Sequence, residues 1–163
     1  MSENIITIYT DGSSRGNPGP GGYGVILMWK GHRKELSAGY RLTTNNRMEL
    51  MGVITALEAV KKDAQDIVIY TDSQYIVNSV EKKWVFDWVK KDFKEKKNKD
   101  LWLRFLELYK KHHIKFVWVK GHATNPFNNR CDELATLAAD GRDLLIDTMF
   151  EQSPGQKTTR GPL

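Results

Sequence analysis

One cysteine, Cys131, stands among 163 residues, so no internal disulfide can form and nothing calls for an oxidising compartment. No run of about 18 apolar residues occurs, and no membrane-spanning helix is expected. The N-terminus passes from Met-Ser-Glu-Asn directly into an extended stretch, without a charged-then-apolar leader. A protein kept off membranes and resident in the cytoplasm is the expectation. There is no internal repeat, and no oligomerisation segment stands apart from the rest, so a monomer is expected.

What is present is enough apolar sequence, 40%, to enclose one sizeable core. One domain is expected over residues 1–150. The tail 151–163, with Pro154, Gly155, Gly161 and Pro162, lacks apolar periodicity. Lys and Arg outnumber Asp and Glu by 25 to 20, a mild bias toward polyanionic partners. That bias is concentrated. Residues 82–99 carry eight lysines against Asp87, Asp92 and Glu95, so 8 − 3 = +5, and the remainder is formally neutral.

Asn4 to Thr10, Gly22 to Trp29 and His32 to Tyr40 read as strands, with Lys30-Gly31 as a two-residue hairpin turn between the last two. Leu50, Ile54 and Leu57 recur at helical spacing, behind Thr44 or Asn45 as cap. Asp66 to Thr71 reads as a buried strand leading into a helix that starts at Ser73. A helix follows from Leu101, then a strand from Ile114 to Val119, then a helix from Cys131 to Ala139. Helical crossovers imply parallel pairing of the strands that begin near Asn4, Asp66 and Ile114, with the opening hairpin adding antiparallel strands. The fold class is α/β, a mixed five-stranded sheet flanked by helices.

Asp11 and Asp72 each close a parallel strand, and ligands bind at that carboxyl-terminal edge in open α/β sheets. Glu49 and Asp132 fall in what read as first helical turns, from which either can face the same edge. Clustered carboxylates repel, and divalent cations relieve the repulsion. Oxygen-only donors suit Mg²⁺ or Mn²⁺ rather than zinc. The competing reading is local: Asp72 before Ser-Gln as a cap, Asp11 before Gly as a turn, and helical acids as dipole partners. Spacing alone leaves both open.

The text around each acid is more specific. YTDGSSRGNPGPGGYG, TTNNRMEL, YTDSQY and WVKGHATNPFNNRCDELA resemble, in order and spacing, the four catalytic blocks of bacterial type 1 ribonuclease H (ribonuclease HI), over roughly Asn4 to Arg142. The resemblance implies the ribonuclease H-like fold. It implies cleavage of the RNA strand of RNA/DNA hybrids by a two-metal mechanism, leaving 5′-phosphate and 3′-hydroxyl ends. It assigns Asp11, Glu49, Asp72 and Asp132 as catalytic, metal-binding carboxylates for two Mg²⁺, with Mn²⁺ able to substitute. It also assigns His122 to proton transfer or product release. By the same resemblance Asn17, Asn45, Asn46 and Gln74 contact the hybrid's backbone or minor groove, and Thr44 with Arg47 lies near the bound strands.

Between Lys82 and Trp102 the lysines interleave with Trp84, Phe86, Trp88 and Phe93. Such a run reads either as a solvated face with its aromatics in the core, or as lysines meeting phosphates while tryptophans pack on sugars. In the family this is the basic handle, here at about 82–100, and Trp84, Trp88, Lys94, Lys96, Lys97 and Lys99 are its expected substrate contacts. The Gly16 to Gly22 run lacks a following Lys-Ser or Lys-Thr and leads into a strand, which argues against a nucleotide loop. Cys131 reads as a buried structural thiol. Two alternatives share parts of the pattern. A transposase or integrase-like nuclease would share the acids, and a non-catalytic hybrid-binding module would share the handle.

Overall fold

The computed structural model describes residues 4–120 and 125–153. Three antiparallel strands open the chain: β1 (Ile6–Ser14), β2 (Gly19–Trp29) and β3 (His32–Thr43). Each is longer than its apolar alternation, because backbone pairing continues past the last apolar residue; Asp11 pairs with Gly24 and Ser14 with Gly21. Lys30 and Gly31 both have positive φ, 48° and 81°, as a two-residue hairpin turn requires. α1 (Asn45–Glu58) follows, then β4 (Asp66–Thr71), α2 (Gln74–Glu81), α3 (Trp84–Lys90), α4 (Lys99–Tyr109), β5 (His113–Trp118), α5 (Pro126–Ala139) and the short α6 (Thr148–Glu151).

The sheet order is β3-β2-β1-β4-β5, with β1, β4 and β5 parallel and the first three strands antiparallel. The mixed five-stranded sheet expected from the strand, helix, strand pattern is present. Its core lies against α1, α2 and α4, where Ile8, Val25, Ile69, Leu50, Ile54 and Trp102 are fully buried. α5 covers the other face, packing on β1, β2 and β3. It lies close because its contact residues are small, Cys131, Ala135 and Ala139, and because β2 offers glycine. A Cβ on Gly24 would sit 2.3 Å from the Cys131 carbonyl oxygen. Among the described residues no helix is long and apolar enough to cross a membrane.

Two helix boundaries correct the sequence reading. α5 begins at Pro126, five residues before the expected Cys131. The Asn125 side chain accepts hydrogen bonds from the Phe127 and Asn128 amides at 2.9 and 3.0 Å, and Pro126 fits the first helical turn, where no amide partner is needed. Asp132 therefore lies in the second turn, as does Glu49 in α1, and neither helix has an acid in its first turn. The dipole explanation for both acids falls away. At the C-terminal end, Glu151, expected to open the tail, closes α6 and is buried, with its carboxylate held bidentately by Arg41 at 2.9 Å.

Candidate active site

Alternation along β1 sends Ile8, Thr10 and Gly12 toward α1 and Tyr9 and Asp11 toward α5. Two contacts anchor this register. A Cβ on Gly12 would lie 2.4 Å from the Glu49 amide nitrogen, and the Tyr9 ring stacks on Phe127 of α5 at 5.0 Å. Gly12 thus lets the backbone of β1 touch that of α1 at the turn bearing Glu49. Asp72 follows β4 directly. Its own backbone oxygen accepts from Trp118 Nε1 at 3.2 Å, while Ser73, not Asp72, caps α2 by accepting from the Ile76 amide. The capping explanation for Asp72 is thereby replaced.

One carboxylate oxygen each of Asp11, Glu49 and Asp72 lies within 4.8 Å of the others. Asp132 is exposed on α5, outside that trio, with its carboxyl close enough to Asp11 for its charge to be felt there. Asp11 is 5% exposed and Glu49 9%. Burial, then the charges of Asp72 and Asp132, push the Asp11 carboxyl up to about 8, although its Oδ1 accepts from the Gly12 amide at 2.9 Å. Burial, then Asp11 and Asp72, holds Glu49 well above the usual carboxylate range. Glu49 Oε1 is buried without a hydrogen-bond partner among the described residues. A buried acceptor of that kind is destabilising unless something supplies positive charge. The donor set is oxygen only, so a divalent hard cation fits it.

A family model for RNase H matches residues 3–140. The chain belongs to the ribonuclease H family. It is accordingly an enzyme of a nuclease family. Among curated relatives, Ribonuclease H of Desulforamulus reducens is 54% identical over 147 residues, covering 87% of this chain and 92% of the relative. Ribonuclease H of Pectobacterium atrosepticum is 53% identical over 151 residues, covering 90% and 96%. The crystal structure of LC9-RNase H1, a type 1 RNase H with the type 2 active-site motif, superposes with a TM-score of 0.77 at 30% identity, over 96% of this chain and 85% of that one. LC11-RNase H1 in complex with RNA/DNA hybrid superposes with a TM-score of 0.64 at 30% identity, over 83% and 96%.

Asn17 Oδ1 accepts from the Asn45 amide at 3.1 Å, Asn45 Oδ1 accepts from the Ser14 amide at 2.7 Å, and Thr44 caps α1. Asn46 and Gln74 are exposed, Gln74 two residues after Asp72. Lys94, Lys96, Lys97 and Lys99 are exposed, with Lys99 ion-paired to Asp92 at 2.6 Å. The aromatics divide. Trp84 is 44% exposed beneath Lys82, Trp88 is half-buried edge-on to Trp102 with Lys96 over its ring, and Phe93 is buried. His122 lies outside the described residues.

Arg47, expected near the bound strands, is buried and fully engaged, with Nε 2.7 Å from Asp147 and Nη2 2.7 Å from Asp100. Its partners sit 53 and 100 residues away, a separation no local pattern reports. Sequence reasoning also passed over Arg15, whose guanidinium is held bidentately by Asp140 at 2.8 and 2.6 Å and feels the charge of Asp132. Cys131 is buried beneath Tyr9, and burial together with Asp11 pushes its thiol up to about 12, a structural residue rather than a nucleophile.

Proposed function

We propose that the chain is an endonuclease that hydrolyses the RNA strand of RNA/DNA hybrids, leaving 5′-phosphate and 3′-hydroxyl ends. The observation that carries this reading is the convergence of Asp11, Glu49 and Asp72 within 4.8 Å, with one buried Glu49 oxygen lacking a partner among the described residues, in a chain of the ribonuclease H family. Asp11, Glu49, Asp72 and Asp132 would hold two Mg²⁺, for which Mn²⁺ can substitute. Bound there, such ions would supply the Lewis acidity that activates water and positive charge for the departing 3′ oxygen.

The protein's own groups do the rest. Asp11 and Asp72 are presented by adjacent parallel strands, so the sheet fixes their separation. Glu49 reads the 2′-hydroxyl, the group that separates RNA from DNA. Asn17, Thr44, Asn45, Asn46 and Gln74 hold the backbone and minor groove in register with the acids. Trp84, Trp88, Lys94, Lys96, Lys97 and Lys99 grip the DNA strand, the lysines on phosphates and the tryptophans on sugars. His122 moves a proton or aids product departure. The working form is a monomer in the cytoplasm.

The test compares RNA/DNA hybrid, duplex DNA and duplex RNA, each with Mg²⁺ and with chelator. Mg²⁺-dependent cleavage of the hybrid's RNA strand alone is expected. Cleavage of duplex DNA would favour a transposase-like nuclease, and hybrid binding without cleavage a non-catalytic module. An Asp72→Asn variant that keeps full Mg²⁺-dependent cleavage would sink the mechanism.

A further inference from the structure

A cleft of about 550 Å³ opens beside α1. Asn17, Thr44 and Asn46 line one side, Lys97 the side formed by the returning end of the handle, and Met149 and Phe150 of α6 a third. Arg47 also lines it, yet is only 3% exposed, so its guanidinium lies at the bottom between the walls. Nε and Nη2 donate to the two oxygens of Asp147 at 2.7 and 2.9 Å, and Nη1 and Nη2 to those of Asp100 at 2.9 and 2.7 Å. Nη1 also reaches Asn98 Oδ1 at 3.3 Å, and the guanidinium lies over the Phe150 ring at 5.8 Å. Asp147 additionally accepts from Thr43 Oγ1 at 2.7 Å, tying in the end of β3.

We propose that Arg47, clasped between Asp100 and Asp147, is a positioning residue that sets the width of the hybrid-binding groove by joining its three walls at one point. The inference rests on the hybrid-cleaving reading above. One planar fork serves two carboxylates that belong to segments with no other reason to share a site. Asp100 stands in the first turn of α4, where the lysine-bearing segment rejoins the body. Asn98, the residue before that helix, is in the left-handed region at φ 67° and is held from its other end by the Tyr75 hydroxyl at 3.2 Å. Asp147 precedes α6. Arg47 and Asp147 are buried and Asp100 is part-buried, so loss of Arg47 would leave two carboxylates without their shared cation, while loss of either acid releases one wall from the clasp. Loosening the clasp frees the distance between Lys94, Lys96 and Lys97 on one side and Asn17 and Asn46 on the other. The acids are spared, since β1 and α1 meet through the Gly12 contact. The predicted signature is therefore weaker hybrid binding with unchanged chemistry.

Asp100→Asn and Asp147→Asn keep shape and remove one charge. Steady-state cleavage of a hybrid is measured over a range of salt, well below each variant's Tm. The expected result is a KM raised about threefold to tenfold, a flatter dependence of KM on salt, and kcat within about twofold of the parent. A lowered Tm with KM and its salt slope unchanged would reduce the network to a stabilising bridge and overturn the proposal, as would a fall in kcat at constant KM. If the Asn variants are too unstable to assay, Arg47→Lys, which keeps the charge but loses the fork, takes their place: the same rise in KM supports the proposal, and either of the same two results overturns it. Failure of the parent to cleave hybrid with Mg²⁺ is a different outcome and bears on the proposed function instead.

Discussion

Replacing Asp11 with Asn should make the metal-free protein more stable, and the effect should depend on pH in a defined direction. The Asp11 carboxyl is 5% exposed and is raised from 3.8 to about 8 by burial and by its acidic neighbours. Between those two pH values the folded chain retains a proton that the unfolded chain has released, so stability falls as pH rises through this window. At about 1.4 kcal/mol per pKa unit, the penalty at pH 7 reaches a ceiling of about 4 kcal/mol, and relaxation of the site brings it nearer 2 kcal/mol. Asn carries no charge, and its side-chain oxygen can still accept from the Gly12 amide. In chelator at pH 7, Asp11→Asn should therefore exceed the parent by about 2–4 kcal/mol in urea unfolding, or about 5–10 °C in Tm. The gap should close as pH falls toward and below 4, where the unfolded chain of the parent also takes up the proton. Added Mg²⁺ should raise the parent's Tm more at pH 8 than at pH 5, and the variant's less. A variant no more stable than the parent at pH 7, or a gap independent of pH, would refute the electrostatic account of the cluster.

Other expectations follow from the same geometry. Alanine at Lys94, Lys96 and Lys97 should raise KM and flatten its salt slope while sparing kcat; Lys99→Ala should do least, because that ammonium already pairs with Asp92. Unchanged KM at low and high salt would remove the handle from the interface. Gly12→Ala should separate β1 from α1, lowering stability by about 2 kcal/mol or more and kcat by more than about tenfold in protein that remains folded; an active variant would show that the Asp11–Glu49 spacing tolerates movement. Iodoacetamide should leave Cys131 unmodified in native protein and label it in urea, as followed by mass spectrometry; rapid native labelling would contradict its burial and raised pKa.

The opening hairpin is legible in the sequence because Lys30-Gly31 supplies both positive-φ positions between two alternating stretches, and α1 because Leu50, Ile54 and Leu57 mark one face. The parallel pairing of β1, β4 and β5 follows from the helices between them. Helix α5 reads five residues short because Asn125-Pro126 has the chemistry of a loop and of a helix start alike, and only the amides of Phe127 and Asn128 decide between them. The handle's aromatics look alike along the chain, yet Phe93, past the end of α3, is buried against Trp88, while Trp84 at the start of that helix is exposed.

For the candidate site, the sequence by itself determined the identity of the acids, the blocks of text around them and the strand ends that bear Asp11 and Asp72. These are local properties, written in residue type and spacing. Only the tertiary structure decided that Asp11, Glu49 and Asp72 converge while Asp132 stands outside that trio. It also decided that Arg47 is buried between Asp100 and Asp147. Those outcomes depend on how close β1 lies to α1 and where α4 and α6 return to the body, and contacts across 53 and 100 residues leave no periodic trace along the chain.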